Sequence, residues 1–267
     1  MKNDLKSKKL FLLDMDGTLY LDHDVFPETI PFLNAVKEKG ARYLYLTNNS
    51  SKSANAYVDK LASMGIEATK DEFLTSTDAT VLFLEKHYTK KDKIYAFGTA
   101  SFRGQIAEAG FSVVTELSDD IKLLLMGFDT ELTFKKLEEA CILLNRGVDY
   151  VATNPDIVCP TWYGSVPDCG SIANILEAAT GRRPRFIGKP NPEMLLLAVE
   201  KAGLSKDDAV MIGDRLYTDI ASGVNAGVDT VLVLSGEGTL KDVEKSDKKP
   251  TFIMKNVGEV MNAFLGK

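Results

Sequence analysis

Two aspartates, Asp14 and Asp16, stand one residue apart at the end of a short apolar run, with Gly17 and Thr18 directly behind them. In an extended chain residues i and i+2 point the same way, so both can face one volume beyond a strand's carboxyl end, where open α/β sheets place their ligands. Two carboxylates converging there repel each other unless something positive sits with them. A hard divalent cation such as Mg2+ suits the need: it takes oxygen ligands, tolerates one or two carboxylates and keeps positions open for phosphate oxygens. A second run, Thr47-Asn48-Asn49-Ser50, offers hydroxyl, amide and free backbone N–H groups where a strand hands over to a helix, a place suited to phosphate oxygens. Gly188-Lys189-Pro190 would bring one ammonium to the same sheet edge, and Lys acts on phosphate as a compact point charge. Gly213-Asp214-Arg215-Leu216-Tyr217-Thr218-Asp219, again straight after an apolar strand, adds two carboxylates for the metal, directly or through water.

Each piece alone has a plainer meaning. Asp16-Gly17 is a common turn pair, Thr47 to Ser50 a helix N-cap cluster, and Lys189 a solvated surface lysine. Asp214 alone is a turn residue, and Asp219 an acid favoured near a helix start by the dipole. All four pieces at strand ends and in order favour chemistry over coincidence. His23 and His87 have no partner at ligand spacing and are assigned no role.

The elements that must position these residues alternate from end to end, short β-branched or aromatic runs with amphipathic helical stretches, which predicts βα units and a mainly parallel sheet. Strands are expected at Leu10–Met15 and Tyr43–Leu46, with helices opening at Pro27 and spanning about Ser51 to Met64. The alternation restarts at Lys93–Phe97 and runs through Leu123–Met126 and Tyr150–Ala152, with helices ending at Gly110, Gly147 and Gly181. A third block is expected at Arg185–Ile187, Ala209–Ile212, Thr230–Leu234 and Thr251–Met254, closed by a helix from Val257 to Leu265. Gly236 to Pro250 is the one stretch that reads as a linker. Periodicity does not say which strands share a sheet.

The pieces DMDGT, TNNS, GKP and GDRLYTD, in this order and context, resemble the haloacid dehalogenase superfamily of phosphatases. More narrowly, the chain looks like the branch called NagD-like or para-nitrophenylphosphatase-like, in which a large α/β cap interrupts the core; Tyr150 to Asp156 resembles that cap. The resemblance spans the whole chain. It implies an α/β fold with a Rossmann-like parallel-sheet core and an inserted α/β cap, the core covering 1–80 and 183–267 and the cap 81–182, with the active site between them. It further implies that Asp14 attacks phosphorus and forms an aspartyl phosphate. Asp16 would protonate the leaving alkoxide and then activate water. Thr47, Asn48 and Lys189 would hold phosphoryl oxygens. Mg2+ would be bound by the Asp14 carboxylate, the Asp16 carbonyl and the Asp214 carboxylate, with Asp219 in support. The expected substrate is a small phosphorylated metabolite such as a sugar phosphate, phosphoglycolate, a nucleotide or an aryl phosphate. Homodimerisation through the cap is open at the family level, and no residue read here carries it.

Composition narrows the field further. A chain of 267 residues, 45% hydrophobic and 26% charged, is that of an ordinary globular protein. With a net charge of −6 and no long Lys/Arg run, nucleic acid is a poor partner. Three cysteines without CxxC spacing suit a reducing, cytoplasmic setting. The apolar run after the lysine-rich start is too short for a signal peptide, and no stretch approaches the roughly 18 to 20 apolar residues of a membrane helix, so no membrane association is expected.

The segment from Asn154 to Gly170 holds Cys159 and Trp162 among prolines and aromatics. It reads equally as a packed connection or as a cap loop that contacts the leaving group and sets specificity. Two rivals to the hydrolase expectation use the same scaffold. One is a phosphotransferase or mutase that passes the phosphoryl group to an organic acceptor. The other is a phosphate-binding module without turnover, against which stands the presence of every expected catalytic carboxylate.

Overall fold

The computed structural model describes residues 4–161 and 163–267. Along the chain it begins with β1 (Leu10–Leu13), a small antiparallel hairpin of β2 (Tyr20–Leu21) and β3 (Asp24–Val25), then β4 (Arg42–Thr47) and β5 (Phe73–Thr75). Next come β6 (Lys93–Phe97), β7 (Ser112–Val114), β8 (Ile121–Met126) and β9 (Asp149–Ala152), and a second hairpin of β10 (Val158–Thr161) and β11 (Gly164–Pro167). The chain finishes with β12 (Arg185–Phe186), β13 (Ala209–Gly213), β14 (Asp229–Val233) and β15 (Phe252–Met254).

The described residues fall into two compact units, one of residues 4–47, 54–74 and 189–267, the other of 48–53, 75–161 and 163–188. The first is built on a six-stranded sheet in the order β15-β14-β13-β1-β4-β5. β1, Leu-Phe-Leu-Leu, is buried on both faces, as a central parallel strand must be, and each such side chain contributes about 2 kcal/mol of apolar burial. Phe11 packs edge-on against Phe32 and Phe264, so the helices Thr29–Glu38 and Val257–Leu265 cover one face of the sheet. The register pairs Leu13 with Ile212 on one side and Tyr45 on the other. The chain therefore leaves β1, β4 and β13 at one edge of the sheet. The strand order reverses between β1 and β13, which is where open parallel sheets form their ligand crevice.

The second unit has a five-stranded parallel sheet in the order β12-β9-β8-β6-β7, packed against the helices Phe134–Asn145 and Cys169–Thr180 through a separate apolar core. Here the structure corrects the expected grouping of strands. Arg185 pairs with Val151 and Phe186 with Ala152, so β12 closes this sheet and not the first. Residues 48–53 also belong to this unit, because Ser50 Oγ lies 2.9 Å from Thr153 Oγ1 and accepts from the Phe128 N–H at 2.8 Å. The unit changes at 74/75 and 188/189, where the resemblance implied breaks after 80 and 182. Part of the segment expected to be a loop, Asn154 to Gly170, forms the β10–β11 hairpin. All three cysteines are free thiols. Among the described residues no helix is long and apolar enough to cross a membrane.

Candidate active site

Asp14 follows β1 directly and keeps its backbone N–H on the Ile212 carbonyl at 2.9 Å, which extends the strand pairing by one residue and fixes where its side chain starts. Gly17 then turns the chain in the left-handed region, φ +82°, which glycine adopts at no steric cost. Lys189 is almost fully buried beside Asp14. Its ammonium lies 2.7 Å from Asp14 Oδ1, 2.7 Å from Asp219 Oδ1 and 3.3 Å from the Leu46 carbonyl. A lysine that leaves water stays charged only with such partners. Burial by itself would depress its pKa, but Asp14 and Asp219 outweigh that and hold it above the ordinary lysine range. The expectation of a cation at this edge thus becomes a buried ion triad within the first unit.

Asp219 reaches the triad because Leu216–Ile220 winds as a π-helical turn, the kind of irregularity that often marks functional sites. Its second oxygen accepts from the Arg215 N–H at 3.1 Å. Gly213 leaves the room, since a Cβ there would sit 2.3 Å from that of Asp219. Asp214, buried after β13, is fastened differently. Oδ2 accepts from the Glu237 N–H at 2.8 Å, while Oδ1 is buried with no hydrogen-bond partner among the described residues. The carboxylates of Asp14, Asp214 and Asp219 can each present an oxygen within 4.8 Å of the other two.

Three acids around one ammonium leave the cluster short of positive charge. Burial, then Asp219, push the Asp14 carboxyl up to about 8 against the pull of Lys189. Burial and Asp219 likewise push Asp214 up to about 6. An orphaned, desolvated carboxylate oxygen in an all-oxygen donor set fits a hard divalent cation, whose charge would return both acids to their ionised forms.

The remaining expected residues lie as follows. Asp16 is exposed at the turn after β1, and its carboxylate is not part of the three-acid group. Thr47 ends β4, half-buried, beside β1 in the sheet. Asn48 opens the stretch assigned to the second unit, where its amide nitrogen donates to both oxygens of Asp156 at 3.1 Å. In the same unit a Cβ on Gly188 would lie 2.5 Å from Asn48 Oδ1, which explains the glycine before Lys189. Cys159 is half-buried on β10 against the second core, and Trp162 lies outside the described residues.

Sequence reasoning gave no role to Asp156 or Glu237. Asp156 carries no local signal that it would face a residue so distant in the chain. Glu237 lay in the supposed linker, although its place just past an apolar strand, as for Asp14 and Asp214, was a usable sign.

Residues 11–112 match the family described as haloacid dehalogenase-like hydrolase, and residues 186–260 match a second HAD-hydrolase-like family. The chain is 34% identical over 257 residues to the acid sugar phosphatase of Staphylococcus aureus, covering 96% of this chain and 98% of that protein. It superimposes on the crystal structure of a 4-nitrophenylphosphatase from Thermotoga maritima with a TM-score of 0.91 at 42% identity, covering 97% and 98% of the two chains. A glycerol phosphate phosphatase from Mycobacterium tuberculosis, crystallised in complex with calcium, aligns with a TM-score of 0.90 at 28% identity, over 97% of this chain and 76% of that one.

Proposed function

The chain belongs to the haloacid dehalogenase-like hydrolases, in the NagD-like branch of phosphatases, and from that premise we propose that it is a Mg2+-dependent phosphomonoesterase acting through an aspartyl phosphate on Asp14. The observation that carries the reading is the buried Asp14–Lys189–Asp219 triad beside the unpartnered Asp214 Oδ1.

Residues Asp14, Asp214 and the Asp16 carbonyl would hold the metal, with Asp219 acting mainly through Lys189, whose ammonium it already binds. When bound, Mg2+ would neutralise charge on the transferring phosphoryl group and orient it. Asp14 attacks phosphorus in line, the P–O bond to the leaving group breaks, and Asp16, exposed at the turn, gives its proton to the departing alkoxide. Asp16 then takes a proton from water, which attacks the acyl phosphate, releases inorganic phosphate and restores Asp14. Lys189, Thr47 and Asn48 hold the equatorial oxygens, and the Asp156 contact fixes the direction of the Asn48 amide.

The related phosphatases bear the names of sugar, nitrophenyl and glycerol phosphate enzymes, which supports a small phosphorylated metabolite as substrate. The net charge of −6 argues against nucleic acid, and the free thiols suit a cytoplasmic setting. The inserted unit serves as the cap, with Cys159 on the β10–β11 hairpin and Trp162 as the substrate-selecting residues.

Release of inorganic phosphate from a panel of sugar, glycerol and aryl phosphates tests the reading. Activity should vanish in EDTA, return with Mg2+ and not with Ca2+, whose looser shell misplaces the nucleophile. Full activity in excess chelator contradicts the metal. Transfer to added alcohols without phosphate release in water indicates a phosphotransferase.

A further inference from the structure

Asp214 is held by a segment that no catalytic motif includes. The loop after β14, Ser235-Gly236-Glu237-Gly238, binds it twice: the Glu237 N–H donates to Asp214 Oδ2 at 2.8 Å and the Gly238 N–H to the Asp214 carbonyl at 2.9 Å. Ser235 Oγ donates to the Gly17 carbonyl at 2.9 Å, which ties the same loop to the turn after Asp14. Two glycines clasp the carboxylate. A Cβ on Gly236 would sit 2.1 Å from Asp214 Oδ2, and one on Gly17 would sit 2.4 Å from the same atom. On the outer side Glu237 meets Arg215 Nε at 3.0 Å and the Tyr217 hydroxyl at 3.3 Å.

We propose that the Ser235–Gly238 loop is a positioning device for the divalent cation: it occupies Asp214 Oδ2 and leaves Oδ1 turned to the metal before the metal arrives. The inference rests on the reading of Asp14 and Asp214 as metal ligands and adds to it the residues that aim one of them. A carboxylate with both oxygens unrestrained would have to lose rotational freedom on binding; here the loop has already removed it. The orphaned Oδ1 is the sign of that arrangement, because a buried acceptor without a donor is costly unless a ligand completes it.

Gly236→Ala isolates the effect. Its backbone lies outside the left-handed region, and the three atoms nearest an added Cβ all belong to Asp214, so the methyl group presses first on that carboxylate. Calorimetric titration of the metal-free full-length protein with Mg2+ should give a dissociation constant raised at least about tenfold, the range for lost support of a metal ligand. The Mg2+ concentration for half-maximal phosphate release should rise in parallel, with kcat at saturating metal nearly kept. Ser235→Ala introduces no new atom and guards against a folding failure. Losing the hydrogen bond to the Gly17 carbonyl should weaken Mg2+ binding roughly fivefold. Mg2+ binding unchanged in both variants, with a wild type that binds it, overturns the positioning role alone. A wild type that binds no Mg2+ overturns this inference together with the metal reading beneath it.

Discussion

Asp14 must be an anion to attack phosphorus, yet its surroundings disfavour the charge. Its folded pKa is raised to about 8 and that of Asp214 to about 6, from an ordinary 3.8 for each, with burial the first cause and Asp219 the second. Because both folded values exceed the unfolded ones, the native state binds more protons than the unfolded chain between about pH 4 and about 8. Metal-free stability from these groups is therefore full below about pH 4 and is lost as pH rises through the folded values. A bound cation reverses the preference for the protonated forms, so the rise in melting temperature on adding Mg2+ should grow from pH 5 to pH 8. Thermal melts with and without Mg2+ check this, and a pH-independent rise contradicts it. Asp14→Asn follows from the same physics. It should abolish turnover by several orders of magnitude, while the metal-free protein melts no lower than wild type because a crowded carboxylate has gone.

At the scale of elements, two strand ends and one irregular turn bring the ion triad together. β1 supplies Asp14, β4 the Leu46 carbonyl, and the π-helical turn after β13 brings Asp219 back to Lys189. Lys189→Ala would leave Asp14 and Asp219 buried side by side without their cation. Denaturant unfolding of the metal-free variant at neutral pH should show a loss of about 3 kcal/mol, and kcat/KM should fall for every substrate alike. Unchanged stability would mean that the triad is not the buried pair described here. How far these elements were legible depends on range. The helix Val257–Leu265 and the strand Lys93–Phe97 follow from local pattern and end where expected. The sheet that β12 joins does not, because strand pairing is a long-range contact that two residues, Arg185 and Phe186, cannot encode. The π-helical turn was equally hidden, since nothing in Leu-Tyr-Thr-Asp-Ile sets it apart from an ordinary helix start.

For the molecule as a whole, the two units divide the work that the proposal assigns to chemistry and to selection. Asp14, Asp214 and Lys189 stood out in the sequence because each follows a strand within a motif, and Asp219 because it shares the motif of Asp214. Gly236 to Gly238 were read as linker because their contact with Asp214 is a tertiary one, and their place just past an apolar strand was the one local sign of it. The substrate-selecting hairpin remains a proposal of the same whole-molecule kind. Trp162→Ala should reorder kcat/KM across the phosphate panel while a small aryl phosphate stays within about tenfold of wild type. A uniform change over all substrates, or none, would make the hairpin a structural connection.

A covalent phosphoryl group on Asp14 can be read directly. Enzyme in steady-state turnover with Mg2+ is quenched in acid, reduced with borohydride and digested, which converts an acyl phosphate on aspartate to homoserine at that position. Homoserine is expected at Asp14 in the wild type only when both substrate and Mg2+ are present, and none in Asp14→Asn. Sustained phosphate release with Asp14 unmodified, or with the label on another carboxylate, would contradict it.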